Sequence, residues 1–181
     1  MKYAILLLLV FAAACSRPLP DYSIVPEFRF TERSGRPVTR QDLNGQVWIA
    51  DFIFTHCSGI CPAMSSNMQT LQARLPGEIR LVSFSVDPAN DTPAVLTEYA
   101  KRYNADPERW LFLTGEADAV QSLSVGGFKL ALDPSAGSEA EPILHSSRFV
   151  LIDRNGHIRG YYGTDDERGL DRLIADAKKL I

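Results

Sequence analysis

Hydrophobic positions follow two patterns along this chain. Predominantly apolar runs at 47–54, 79–86 and 110–114 are short and rich in β-branched and aromatic residues, which predicts buried strands. Between them, 62–75 and 92–103 place apolar or small residues every three or four positions, which predicts helices. This order predicts a parallel core sheet with right-handed crossovers and helices on both faces.

The flanking segments predict a hairpin at each end of this core. Segment 27–32 alternates in strand fashion and returns through 36–39, and Asn155-Gly156 separates the β-type runs 147–152 and 157–162. We also predict a helix over 116–125, a strand over 128–132, an irregular loop over 133–144 and a closing amphipathic helix over 167–181. No internal repeat is present.

Two cysteines occupy the junction between the first buried strand and the helix that follows. Cys57 and Cys61 lie in a polar, glycine-containing elbow, and Pro62 begins the helix. The positive end of a helix favours a thiolate at Cys61. With the cysteines at this junction, the order of elements is that of a thioredoxin-like fold, in which sites lie beyond the carboxyl ends of strands. Asp87 ends the next strand.

The first fifteen residues predict a targeting segment. Lys2 precedes an apolar stretch at 4–11, and three alanines lie directly before Cys15. Since a membrane span needs about 20 apolar residues, we expect a bacterial lipoprotein signal whose cleavage leaves Cys15 lipidated. Ordinary secretion and a retained short anchor are the alternatives.

We therefore expect three regions: signal segment 1–15, a proline-containing semi-rigid tether over 16–26, and one domain over 27–181. The domain would lie on the periplasmic side of a bacterial membrane. The formal net charge of −3, with no cluster of Lys and Arg, argues against a nucleic-acid partner. We expect a monomer.

In such an oxidising compartment, Cys57 and Cys61 have three possible roles. They form a structural disulfide, a redox pair or a soft metal site. Three intervening residues suit two thiolates that chelate one ion, and thiolates select Cu(I) or Zn. One imidazole would complete a three-coordinate site. His145, between the irregular loop and the next strand, is the natural third ligand, although a histidine in a surface loop usually has no such role.

Three motifs in order resemble the Sco/SenC family: Thr55-His56-Cys57-Ser58-Gly59-Ile60-Cys61-Pro62, then Ser85-Val86-Asp87 through Thr92-Pro93, then His145-Ser146-Ser147 before Phe149 to Asp153. Members are thioredoxin-like copper chaperones that help assemble the binuclear copper centre of cytochrome c oxidase subunit II. The resemblance implies one copper ion, Cu(I) or Cu(II), bound by Cys57, Cys61 and His145. It places Asp87 and Asp91 near the site, and the chemistry of outer ligands favours Asp87 as an orienting group. Ser58-Gly59 replaces the family's Pro-Asp, so the recipient is subunit II or another copper-enzyme apoprotein.

A second function is open on the same residues. A thiol-disulfide oxidoreductase would reduce the cysteines of the copper-site apoprotein, with Cys57 attacking and Cys61 resolving. Thioredoxin-like reductases usually carry a proline where this chain has Leu144-His145-Ser146-Ser147, which favours copper.

The remaining candidate residues have structural interpretations. Met64 and Met68 lie on the helical face of Cys61 and are interpreted as core residues rather than thioether ligands. Asp51, inside an apolar strand, is expected to make a structural hydrogen bond, and Asp91 to cap the helix that begins at Thr92-Pro93. His56 is expected to point away from the metal, and His157 to be solvated. We expect loop 133–144 to order on metal binding.

Overall fold

The computed structural model describes residues 18–133, 135–136, 143–164 and 167–181, with the backbone alone at 167. In this part of the chain, a mixed sheet of eight strands is flanked by helices, as predicted. The strands are β1 (Ser23–Ile24), β2 (Arg29–Glu32), β3 (Pro37–Thr39), β4 (Trp48–Ile53), β5 (Arg80–Ser85), β6 (Trp110–Thr114), β7 (Leu132–Asp133), β8 (Leu144–His145), β9 (Arg148–Ile152) and β10 (His157–Gly163). The α-helices are α1 (Cys61–Arg74), α2 (Pro93–Arg102), α3 (Ala117–Gln121) and α4 (Glu167–Lys178).

The main sheet has the order β1-β10-β9-β4-β5-β6-β2-β3, and β7 and β8 form a separate two-stranded ribbon. Strands β4, β5 and β6 are parallel, whereas β9 runs antiparallel to β4. Every residue of β4 is buried, because helices cover both faces of a parallel core. The predicted hairpin of β2 and β3 joins the sheet through β6.

Local sequence accounts for the ends of these elements. Helix α1 begins at Cys61 with Pro62 in its first turn, where a missing amide proton costs nothing. The Thr92 side chain caps α2 by accepting a hydrogen bond from the amide of Val95. In the predicted turn between β9 and β10, Gly156 adopts φ +82°, which is strained for other residues.

The predicted strand over 128–132 is wrong, and only its last residue belongs to a strand, β7. Helix α3 continues as a π-helical turn, Ser122–Gly127, whose hydrogen bonds reach further along the chain. The Phe128 amide donates to the Leu123 carbonyl, and the Leu130 amide donates to the Ser124 carbonyl. Because these amides already have partners, this stretch does not pair as a strand.

The predicted tether does not match the structure over its described part. Strand β1 pairs with β10, and Val25 is buried in the core. The Arg159 guanidinium donates to the carbonyls of Leu19 and Pro20, at 2.6 and 2.7 Å. The folded domain therefore begins before Glu27. Proline disfavours central strands but is tolerated beside an edge strand, which is why composition misled the prediction.

His157, which was expected to be solvated, also helps to hold the segment before β1 against the domain. Its Nδ1 atom lies 2.9 Å from the Asp21 carboxylate. Segment 1–15, with Cys15, and the first two tether residues lie outside the described residues, as does most of loop 133–144.

An aromatic cluster fills the core beneath the cysteine elbow. Phe52 and Phe84 stack with ring centroids 5.2 Å apart, and Phe128 packs edge-on against Phe52. Met64 and Met68 are fully buried, which confirms their interpretation as core residues. Within the described part of the chain, no helix has the length and apolar character needed to cross a bilayer.

Candidate metal centre

Both cysteines lie where the sequence places them, at the carboxyl end of β4. Cys57 is in the elbow and is 7% exposed, whereas Cys61 is the first residue of α1 and is 1% exposed. Both are free thiols. Cys57 is therefore the sulfur that solvent or another protein reaches first.

His145 reaches the cysteines from the ribbon of β7 and β8. It pairs with Leu132, and the Ser146 amide donates to the Ala131 carbonyl at 3.0 Å, so the backbone is held on both sides of the histidine. The Nε2 atom lies 3.2 Å from Cys61 Sγ, and the ring packs edge-on against Phe54. The imidazole is largely buried, at 9% exposed.

The ligand atoms of Cys57, Cys61 and His145 all lie within 4.8 Å of one another. With metal–sulfur and metal–nitrogen bonds of about 2.0–2.3 Å, a trigonal ion needs its ligand atoms about 3.5–4 Å apart. Shifts of about 1 Å or less would bring all three onto one ion. Two thiolates and an imidazole form a soft donor set that suits copper.

Burial changes the acid–base chemistry of Cys61. Removal from water raises the pKa of its thiol well above the ordinary range, and the neighbouring Cys57 raises it further. This finding reverses the expectation that the helix start favours the Cys61 thiolate, because desolvation outweighs the helix dipole here. A bound cation is what would stabilise the thiolate.

Asp91 anchors the elbow to the neighbouring loop. Its fully buried carboxylate accepts hydrogen bonds from the Thr55 hydroxyl and the Ser85 hydroxyl, both at 2.6 Å, and from the Thr55 amide. The expected role as a helix cap is therefore wrong, because Thr92 supplies the cap. Sequence reasoning missed Thr55 and Ser85. Their positions at the ends of two adjacent parallel strands were the available signal.

Asp87 and His56 are in contact at the rim of the site. The Asp87 carboxylate lies 3.2 Å from His56 Nε2 and also accepts a hydrogen bond from the Asn90 side chain. His56 is half exposed, and its ring packs edge-on against Phe54. Asp87 thus contacts the residue next to Cys57 and not Cys57 itself, which is compatible with an orienting role through His56.

Asp51 is fully buried in β4, opposite Ser83 of β5. The Ser83 hydroxyl donates to Asp51 Oδ1 at 2.6 Å and accepts a hydrogen bond from the Trp110 indole, which confirms the expected structural hydrogen bond. Asp51 Oδ2 has no partner among the described residues. Burial raises the pKa of Asp51 to about 7.

Residues 16–181 match the family described as SCO1/SenC. The chain belongs to the SCO1/SenC family. The SCO1 protein homolog of Bacillus subtilis is 35% identical over 181 residues, which cover 95% of this chain and 92% of the relative. The predicted family resemblance is confirmed.

Solved structures of SCO1/SenC proteins share the thioredoxin-like fold. A SCO1/SenC family lipoprotein from Bacillus anthracis is 33% identical, with a TM-score of 0.80 over 91% of this chain and 98% of that one. BsSco, a member of the Sco family of cytochrome c oxidase assembly proteins described with a disulfide switch, is 35% identical with a TM-score of 0.79, over 91% and 96%. Copper-bound ScoI of Arabidopsis thaliana is 25% identical with a TM-score of 0.73, over 87% and 97%.

Proposed function

We propose that this chain binds one copper ion through Cys57, Cys61 and His145 and delivers it to the binuclear copper site of cytochrome c oxidase subunit II or to a related copper enzyme. The observation that carries the proposal is the convergence of the three ligand atoms within 4.8 Å. The copper-bound relative and the family's link to cytochrome c oxidase assembly support it.

The arrangement suits stepwise release of the ion. Cys61 is the deepest ligand and is fixed at the start of α1, whereas Cys57 is the more exposed sulfur and His145 is carried by a short ribbon. A thiolate of the recipient would therefore displace Cys57 or His145 first and Cys61 last. Ligand exchange of this kind needs no net redox change.

We also propose that the chain acts as a monomer, tethered through lipid on Cys15 to the periplasmic side of a bacterial membrane. The signal pattern before Cys15 supports the anchor, and so does the Bacillus anthracis relative, which is described as a lipoprotein. Mass spectrometry of the membrane-extracted protein tests it. A diacylglyceryl mass on the peptide that begins at Cys15 is expected, and an unmodified Cys15 would contradict the anchor.

Copper titration of the full-length chain in mild detergent tests the central proposal, with Cu(I) under reducing conditions and Cu(II) in air. We expect one ion per chain in both titrations. Replacing either cysteine by serine should abolish tight Cu(I) binding. Retention of one tightly bound Cu(I) by both single variants would contradict the ligand assignment.

The second candidate function is thiol-disulfide exchange with the cysteines of the apoprotein. The proximity of two free thiols of unequal exposure favours it, and a relative carries a disulfide switch. Cys57, the less buried of the two cysteines, would attack the target disulfide, and Cys61 would resolve the mixed disulfide, which leaves the target reduced and this pair oxidised. Cys61→Ser should then trap the mixed disulfide. Rapid exchange by a wild-type protein that retains no copper would favour this function over delivery.

A further inference from the structure

A cleft of about 510 Å³ lies beside the ribbon that carries His145. One wall is aromatic, because Tyr22 and Tyr161 both line it and their rings meet edge-on with centroids 5.2 Å apart. Leu130 and Ala131 contribute apolar surface. A concave site of this size holds a few side chains of a bound segment.

Within the described part of the chain, the charged side chains that line this cleft are positive. Lys129 and Arg148 are its charged lining residues, and both are exposed, although the chain as a whole has a net charge of −3. Among the described residues, the Arg148 guanidinium has no ion-pair or hydrogen-bond partner. Lys129 donates a hydrogen bond to the Gly126 carbonyl. Exposed cations attract an acidic ligand.

The cleft also offers polar groups to a ligand. Ser23 lines it, and the Ser23 hydroxyl is buried without a hydrogen-bond partner among the described residues. Because an unsatisfied buried hydroxyl is costly, a ligand group that reached it after a small shift of the atoms that cover it would gain a hydrogen bond. Ser23 belongs to β1, which is held in place by β10, so this wall of the cleft is fixed before anything binds.

The cleft is joined to the candidate metal centre through backbone. Ala131 and Ser146 both line it, and the hydrogen bond between them closes the ribbon next to His145. The carbonyl of Ser146 also lies 3.2 Å from His145 Nδ1. A segment bound in the cleft would therefore touch the two residues that set the position of the imidazole.

We propose that a segment of the copper-receiving protein that carries both acidic and apolar side chains docks in this cleft, and that its docking displaces the His145 ribbon. The inference rests on the proposed delivery function and names its docking surface. A concave cleft with aromatic walls fits side chains better than a flat lipid surface, and a basic segment would be repelled by Lys129 and Arg148.

Two capped peptides test the docking, an acidic one, acetyl-Asp-Phe-Glu-Leu-Asp-amide, and a basic one with lysine at each acidic position. Binding to the copper-loaded full chain is followed by tyrosine fluorescence and by NMR shifts of Tyr22 and Ser146. We expect the acidic peptide to bind at least tenfold more tightly than the basic one, and to weaken with salt. Arg148→Glu should lower its affinity at least tenfold.

Arg36→Glu is the matched control, because Arg36 is exposed in the turn before β3, at the opposite edge of the sheet from β1. It carries the same charge reversal and should leave peptide affinity unchanged. Equal affinity for the two peptides, or equal losses in both variants, would overturn the docking proposal. Two other results would also overturn it if neither peptide binds. One is binding to phosphatidylglycerol vesicles that depends on Arg148, and the other is self-association in sedimentation that depends on Arg148.

Copper binding separates this inference from the function on which it rests. Arg148→Glu leaves the three candidate ligands intact and should bind copper as the wild type does, while its transfer of copper to a purified soluble domain of subunit II slows at least tenfold. Normal transfer by this variant would overturn the docking cleft and leave the delivery function standing. A different result would contradict the delivery function: only the cysteine variants lose copper binding, and the wild type binds copper but transfers none.

Discussion

The Nε2 atom of His145 lies 3.2 Å from the Sγ atom of Cys61, although 84 positions separate the two residues in the chain. The pairing of Leu132 with His145 makes this contact possible, because it holds the imidazole over the start of α1. The candidate ligand set is therefore assembled by the fold itself. Binding would require only a small local closure.

Replacing His145 by alanine should weaken Cu(II) binding at least about 100-fold, since loss of a direct ligand costs more than loss of an outer partner. The Cu(I) affinity should fall less, because two thiolates satisfy the softer ion. Titration monitored by visible absorption measures the first effect, and competition with a Cu(I) chelator measures the second. His157→Ala is the control, because His157 pairs with Asp21 outside this group. Unchanged Cu(II) affinity in His145→Ala would remove the histidine from the site.

Cu(I) affinity should rise with pH, by about tenfold per pH unit for each thiol proton released. Burial raises the pKa of the Cys61 thiol, so that proton is present across the neutral range and must leave when copper binds. Chelator competition between pH 6 and 8 measures the slope. His157→Ala, which leaves all three candidate ligands in place, should keep the same slope, and a wild-type affinity independent of pH would contradict the argument.

Asp51→Asn should remove a pH dependence of folding stability. The pKa of Asp51 is raised from 3.8 to about 7 in the folded protein, so its contribution is complete below pH 3.8 and is lost as the pH rises through 7. The loss is of the order of 4 kcal/mol. Asparagine keeps an acceptor for the Ser83 hydroxyl but cannot ionise.

Urea unfolding of wild type and Asp51→Asn at pH 5 and pH 8 measures this difference. The free energy of unfolding of the variant minus that of the wild type should be larger at pH 8 than at pH 5. Ser83→Ala is the control, since it removes the hydrogen bond but retains the acid. A gap between variant and wild type that is the same at both pH values would show that Asp51 does not titrate in this range.

Asp91→Ala should destabilise the protein by about 2–4 kcal/mol, because it leaves the hydroxyls of Thr55 and Ser85 without their acceptor. It should also broaden the Cu(II) absorption band, as Thr55 precedes the cysteine elbow. Thr92→Ala is a matched control on the next residue. It removes only the helix cap, at a cost of about 1 kcal/mol, and should leave the band unchanged. An Asp91 variant no less stable than the Thr92 variant would contradict the anchoring role.

Much of the fold was predictable because its signals are local. The apolar run that became β4, the proline that opens α1 and the Asn155-Gly156 turn each carry their conformation in a few adjacent residues. The strand predicted over 128–132 was wrong because the amides of Phe128 and Leu130 donate hydrogen bonds to carbonyls of the π-helical turn before it. Such a turn has no distinctive hydrophobic period.

The candidate site was predictable in its members but not in its electrostatics. The spacing of Cys57 and Cys61 is visible in the sequence, and the family resemblance pointed to His145. Burial of Cys61 depends on packing across the sheet, so the rise in its pKa could not be derived from its position at a helix start. The role of Asp91 was missed for the same reason, since Thr55 lies 36 residues away.

The hydrogen bonds from Arg159 to the carbonyls of Leu19 and Pro20 also limit how far the domain can lie from Cys15. Only four peptide units join Cys15 to Leu19, and a fully extended chain of that length reaches about 14 Å. A lipid on Cys15 would thus keep the β1 edge of the domain almost against the headgroups, with little freedom to swing outward. Copper acceptors would then have to place their own metal site close to the bilayer surface, within reach of a domain held by this short connection.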